Sequence, residues 1–166
     1  MLKNKDYITV LGIDPGSTKV GYGVVYHKKK TTLSQALSYG YIDLTGKKSS
    51  SDRLLHLHQD IQELIKKFKP SVLAIENVYF FKNLKTFSPV MESKGVIILT
   101  ASKLNVPVYE YTPLQVKQTI AGYGRADKNY IQMVVKSALG IEKNIKPDDA
   151  SDALAIGLCY IRHSFL

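Results

Sequence analysis

The sequence is short of cysteine. Cys159 is the single one in 166 residues, so no disulfide can form within the chain. It lies in the apolar run Ala155-Ile-Gly-Leu-Cys159-Tyr and reads as a small core residue. One cysteine and four scattered histidines make no cluster of the zinc-binding kind. His56 and His58 stand two apart on an expected helix, face different directions, and read as structural or solvated. No apolar run approaches the roughly 20 residues that cross a bilayer. No apolar stretch follows the short basic start, so no secretion signal is expected. The expected setting is soluble, reducing and cytoplasmic, with no membrane partner. Internal repeats and low-complexity tracts are absent. Acidic residues are also few: 14 Asp and Glu stand against 23 Lys and Arg, for a net charge of +9. Such an excess suits a polyanionic partner, because lysine and arginine displace the counterions condensed on phosphates. A merely basic soluble protein would have the same composition, so charge alone decides nothing.

What is present is enough apolar sequence to fold: 45% hydrophobic residues, expected to form one globular domain over residues 1–166. Residues 7–13 are a β-branched apolar run closed by Asp14-Pro-Gly, a strand meeting a turn. Residues 21–26 and 33–44 read as two more strands, and the three are expected to form an antiparallel meander. Ser51 or Asp52 can cap a helix in which Leu54, Leu57, Ile61, Leu64, Ile65 and Phe68 recur at helical spacing. Pro70 ends it. Residues 71–76 are a continuous apolar strand ending in Glu76, as in a parallel strand covered on both faces. A loop from 77 to about 87, a helix from about 89 to 104 and a strand at 106–111 follow. Thr112 and Pro113 open a short helix, residues 122–126 form a loop, and helices are expected at 127–139 and 150–161. The order predicts an α/β fold, a mixed five-stranded sheet flanked by helices.

Four carboxylates stand out. Asp14 and Glu76 each end an apolar strand. Asp149 and Asp152 are three apart at the start of an apolar helix, on one face. Each has an ordinary reading: Asp-Pro-Gly is good turn chemistry, Glu76 can simply reach solvent, and acids suit a helix N-terminus. Asp148 is the more natural cap, which leaves Asp149 and Asp152 without that explanation. If the strands are neighbours and the helix packs on them, the four acids converge, and cations relieve their repulsion. Oxygen-only ligands suit Mg²⁺ or Mn²⁺. Two such ions about 3.5–4 Å apart would suit phosphodiester hydrolysis.

Basic and aromatic residues interleave from Tyr79 to Phe87, with Lys82 and Lys85 among the rings. Aromatic faces stack on unpaired bases while lysines hold phosphates, although Phe80 and Phe81 also suit a core. Lys117, Arg125 and Lys128 flank the Gly122-Tyr-Gly124 loop, where glycine lets backbone amides approach a phosphate. A solvated basic loop is the plainer reading. Lys28-Lys29-Lys30 and Lys47-Lys48 read as solvated turns.

Four segments taken together resemble one family: Leu11-Gly-Ile-Asp14-Pro-Gly-Ser17, Ala74-Ile-Glu76-Asn-Val-Tyr-Phe80, the stretch Gln115 through Lys128, and Asp149-Ala-Ser-Asp152-Ala-Leu-Ala155. In this order they resemble RuvC, the bacterial Holliday-junction resolvases. The resemblance implies a ribonuclease H-like fold and a Mg²⁺-dependent endonuclease. It implies a homodimer that nicks two opposed strands of four-way junction DNA, and association with a RuvA–RuvB branch-migration complex. By motif match, Asp14, Glu76, Asp149 and Asp152 would be the catalytic, metal-binding acids. Lys117 and Lys128 would contact DNA near the cut, and Tyr79 would stack at the junction centre. Two departures are visible. Glu92-Ser-Lys94-Gly95 stands where many relatives have Gln-Ala-Arg-Gly, which keeps the charge but loses arginine's planar fork. The sequence also ends soon after its last expected helix, without the C-terminal tail of some relatives.

Other classes remain open on the residues alone. Gly12-Ile-Asp-Pro-Gly-Ser-Thr18 resembles the phosphate loop of actin-like ATPases and sugar kinases, which clamp nucleotide between two such domains. A catalytically silent junction-binding protein would use the same basic patch, without need of four acids. A nuclease for RNA/DNA hybrids would share the fold.

Overall fold

The computed structural model describes residues 6–47, 49–77 and 84–165, with the side chains of 84–86 left aside. Its strands are β1 (Tyr7–Asp14), β2 (Lys19–Lys28), β3 (Ser34–Asp43), β4 (Val72–Glu76) and β5 (Val108–Tyr111). The helices are α1 (Ser50–Phe68), α2 (Leu84–Lys103), α3 (Pro113–Ala121), α4 (Lys128–Leu139) and α5 (Asp148–Phe165).

The five strands form one mixed sheet in the order β3-β2-β1-β4-β5. β1, β2 and β3 pair antiparallel, as the expected meander, while β4 pairs parallel with both β1 and β5. Alternation along the central strands then decides what faces what. Val10, Val72 and Ala74 join a core with α3, α4 and α5. Leu11, Ile13, Leu73 and Ile75 join a second core with α1 and α2. This is why β4 reads as apolar throughout: both of its faces are covered.

α5 lies unusually close to the sheet, and three strand glycines make that possible. A Cβ at Gly12 would sit 2.1 Å from the Ala153 carbonyl oxygen, and one at Gly21 would sit 2.1 Å from that of Asp149. One at Gly23 would sit 2.8 Å from the Leu154 nitrogen. Gly12 pairs with Gly23, and Gly21 pairs with Asp14, so the glycines form a bed across two strands. Helix backbone rests there directly on strand backbone. α5 is buried from Ala150 to Ile161 except at Asp152, and Cys159 is a core residue whose burial pushes its thiol up to about 11. Arg162 donates to the carbonyls of Thr119 and Ile120 at 2.9 Å, tying α5 to the end of α3.

Several local expectations are corrected. The cap of α1 is Ser49, whose hydroxyl accepts from the Asp52 amide at 3.1 Å. Ser49 has the extended backbone that an N-cap needs, and Ser51 and Asp52 fall inside the first turn. α2 begins at Leu84, not near Pro89, so the expected loop is shorter by several residues. Pro89 sits within the helix, where it removes the amide bond back to residue 85 and its ring crowds that carbonyl. Asp148 is the first residue of α5 rather than its cap, and is spent on an ion pair. His56 and His58 behave as expected: one pairs with Asp60 and the other meets the Thr100 hydroxyl at 2.7 Å.

Candidate active site

Asp14 continues the face of Gly12, and Glu76 continues the face of Ala74. Both strand-end acids therefore emerge on the α5 side. Because Ile13 pairs with Ile75 in parallel register, the two acids are one step further along neighbouring strands. The glycine bed seats the first turn of α5 beside them, which brings in Asp149 and Asp152. Acids from three distant parts of the sequence share one electrostatic neighbourhood.

The cost appears in their protonation. Burial, followed by the charges of Glu76, Asp152 and Asp149, holds the Asp14 carboxyl well above the usual range, with Lys128 opposing. Burial and the Asp152 charge lift Glu76 to about 7, against the pull of Lys117. Burial also raises Asp152, although Lys128 opposes by charge and hydrogen bond. Lys128 answers in kind. Burial alone would lower its pKa, but Asp152 and Asp148 outweigh that and raise it. Its ammonium lies 3.2 Å from a carboxylate oxygen of each.

A cleft of about 220 Å³ opens here, lined by Glu76, Val116, Lys117, Lys128, Ile131 and Asp152 among others. Lys117 and Lys128, picked from sequence, thus share a cavity with two of the acids. Asp149 lines an adjoining shallow depression with Lys19, Tyr41 and Lys146. Arg125 is exposed on the loop between α3 and α4. The glycines of that loop have structural reasons: Gly122 caps α3 with a φ of 83°, and Gly124 leaves room for Leu114. Tyr79 and Lys82 lie outside the described residues. Lys85 is in the first turn of α2, with its side chain outside the description.

The donor set fits a hard divalent cation. It is oxygen-only, and among the described residues Asp14, Glu76 and Asp149 have no cation within ion-pair distance. The carboxylates share a field rather than a finished ligand shell. Among the described residues, no three His, Cys, Asp or Glu side chains stand close enough to hold one ion as they are.

Sequence reasoning missed Asp148 as a partner of Lys128, and it missed the glycine bed. Glycines 12, 21 and 23 inside apolar strands were the available signal, since glycine there marks close backbone approach.

Fold and site together define an α/β domain of the ribonuclease H-like class, with acids at two adjacent strand ends and on the last helix. Comparison with known proteins narrows the class. The family described as crossover junction endodeoxyribonuclease RuvC matches residues 10–160. The RuvC of Caldicellulosiruptor saccharolyticus is 48% identical over 93% of this chain and 93% of its own. That of Petrotoga mobilis is 44% identical over 95% and 97%. The structure of T. thermophilus RuvC in complex with a Holliday junction substrate superposes with a TM-score of 0.89 at 31% identity, over 95% of this chain and 94% of that one. The chain belongs to the RuvC family. A yeast mitochondrial Holliday junction resolvase shares the fold, with a TM-score of 0.68 at 16% identity.

Proposed function

We propose that this protein is a Mg²⁺-dependent endodeoxyribonuclease that resolves four-way DNA junctions by nicking two opposed strands, leaving 5′-phosphate and 3′-hydroxyl ends. The observation that carries the reading is the gathering of Asp14, Glu76, Asp149 and Asp152 on one face, beside a cleft that also holds Lys117 and Lys128. A nucleotide-clamping domain would not need the acids of α5, and a silent DNA-binding protein would be weakened by all four. The relatives' printed names, and the junction bound to the T. thermophilus protein, support the same substrate.

Asp14, Glu76, Asp149 and Asp152 would hold two Mg²⁺ ions, with Mn²⁺ able to substitute. Bound there, the ions would stabilise the attacking and leaving oxygens of the phosphodiester. Lys117 and Lys128 line the same cleft and hold the backbone phosphate in place. Lys128 also tempers the acids' mutual repulsion through its pairs with Asp148 and Asp152. Arg125, Lys82 and Lys85 contribute phosphate contacts farther out, and Tyr79 stacks on an unpaired base at the junction centre.

Symmetric nicking requires two such sites, hence a homodimer. α2 is the proposed contact: Met91 and Leu99 are exposed, and Gly95 between them on the same stripe is open. A RuvA–RuvB branch-migration complex is the proposed partner, and the bacterial cytoplasm the proposed location. Among the described residues, no helix is long and apolar enough to cross a membrane.

The test is incubation with a synthetic four-way junction and a linear duplex of the same sequence, in Mg²⁺ and in EDTA. Cutting of the junction alone, in Mg²⁺ alone, is expected. Equal cutting of the duplex, or preference for a competing RNA/DNA hybrid, would overturn the reading.

A further inference from the structure

Lys94 is charged, yet its side chain is only 8% exposed. It lies on α2, and so on the side of the sheet opposite the acid cleft. Its ammonium donates to the Glu110 carboxylate at 2.6 Å and to the Asn77 side-chain oxygen at 2.8 Å. Asn77 directly follows Glu76, and its own amide donates to the Tyr111 carbonyl at 2.7 Å. Glu110 and Tyr111 are the residues of β5 that pair with Ile75 and Glu76. One buried cation therefore pins the C-terminal end of β4 to β5 from beneath.

Burying an ammonium is expensive unless its hydrogen bonds are met, and an apolar residue would fill the same space more cheaply. The two acceptors point to a purpose. Glu110 supplies the counter-charge and accepts one of the ammonium's hydrogen bonds, and Asn77 accepts another. Asn77 adds nothing to charge balance, but it directly follows Glu76, and its backbone amide carries the pairing with β5 one residue past the acid. The neighbouring residues of α2 serve the other acid-bearing strand in the same way. Ser93 and Glu92 hold Arg53, which donates to the Ser17 carbonyl in the turn after Asp14.

We propose that Lys94 is a positioning residue: through Asn77 it fixes the direction in which Glu76 leaves β4, without touching the acid itself. The inference rests on the reading of Glu76 as a metal-binding acid. Residues that orient such ligands from behind typically change metal affinity or activity by about 10–100-fold when removed.

The experiment uses the full chain and three variants, Lys94→Met, Lys94→Arg and Asn77→Ala. Single-turnover cleavage of a synthetic four-way junction is measured across MgCl₂ concentrations, with junction affinity measured separately in Ca²⁺. Glu76→Gln serves as the inactive reference. Lys94→Met and Asn77→Ala are expected to cut about 10-fold more slowly and to need several-fold more Mg²⁺, with junction affinity within about twofold of wild type. Lys94→Arg, which keeps the charge and can donate to both oxygens, is expected to recover most of the rate. If Lys94→Met does not fold, Asn77→Ala decides, because it leaves the Lys94–Glu110 pair intact. Wild-type rates and Mg²⁺ requirement in Asn77→Ala, or a fall in thermal stability alone, would overturn the proposal. An active wild type with an equally active Glu76→Gln would instead overturn the assignment of Glu76, and this inference with it.

Discussion

On the α5 side of the sheet, the central strands present Val10, Gly12 and Asp14, and beside them Val72, Ala74 and Glu76. One residue along, on the α1 and α2 side, they present Leu11, Ile13, Leu73 and Ile75. The first face trades bulk for closeness. Its glycines let α5 settle onto the strands, and the gain is four acids in one place at the cost of raised carboxyl pKa values. The second face is filled with aliphatic side chains, and its cations, the half-buried Arg53 and the buried Lys94, donate to oxygens. One face gathers negative charge that Lys128 offsets in part, and the other pairs its cations with oxygens. Both faces carry a buried apolar core, but the four acids lie on the α5 face, so packing there positions charge as well as contributing stability.

Substitutions on the two faces should therefore fail differently. The largest effect is expected at Asp149→Asn, which removes one acid charge while keeping its shape. Junction cleavage should be lost while junction binding persists in a gel-shift assay, and retained cleavage would remove Asp149 from the site. Next, Leu57→Ala opens a cavity on the α1 side, where Leu57 is fully buried. It should cost about 2–5 kcal/mol in denaturant unfolding, yet leave the Mg²⁺ requirement of the folded protein unchanged. Gly12→Ala should cost at least as much stability, because its Cβ would meet the backbone of Ala153 and Gly157 rather than movable side chains, and should slow cleavage far more, because it lifts α5 and its acids off the sheet. If the two variants showed the same ratio of lost activity to lost stability, the contrast between faces would fall.

A smaller effect is expected with pH. The folded-state pKa of Glu76, about 7, lies above its ordinary value of 4.5. The folded state therefore holds this proton more tightly than the unfolded chain does. Stability from that difference is full below pH 4.5 and is lost as pH rises through about 7. In EDTA, the thermal midpoint of Glu76→Gln should rise relative to wild type across this window. A constant difference would contradict the raised pKa. The smallest effect is expected from Lys128→Ala, which should weaken junction binding and reduce the slope of log affinity against log salt by about 1.

Much of this was legible in the sequence. The apolar runs ending in Asp14 and Glu76 marked both strands and their acids, and the small, apolar residues around Asp152 marked a buried helix with one side facing a site. The three-residue spacing of Asp149 and Asp152 put them on one face whatever the tertiary context. The misses share a physical cause, in that each depends on partners distant in the chain. Lys94 looked like a weakened substitute for arginine, because nothing local shows that Asn77 and Glu110 await it across the sheet. The cap of α1 was misplaced because three serines in a row leave only backbone conformation to choose among them. The start of α2 was misplaced because proline favours the first turn of a helix, which made Pro89 read as its beginning although five helical residues precede it. Asp148 was read as a cap, since its partner Lys128 is on another helix.

The central claim is that four acids from β1, β4 and α5 together bind divalent cations. It is tested most directly by calorimetric titration of Mn²⁺ into wild type and into Asp14→Asn, Glu76→Gln, Asp149→Asn and Asp152→Asn, each checked for folding by circular dichroism. Wild type should bind, and each amide variant should bind markedly more weakly. Wild-type Mn²⁺ affinity in any folded variant would contradict the claim for that acid, and wild-type affinity in all four would contradict it altogether.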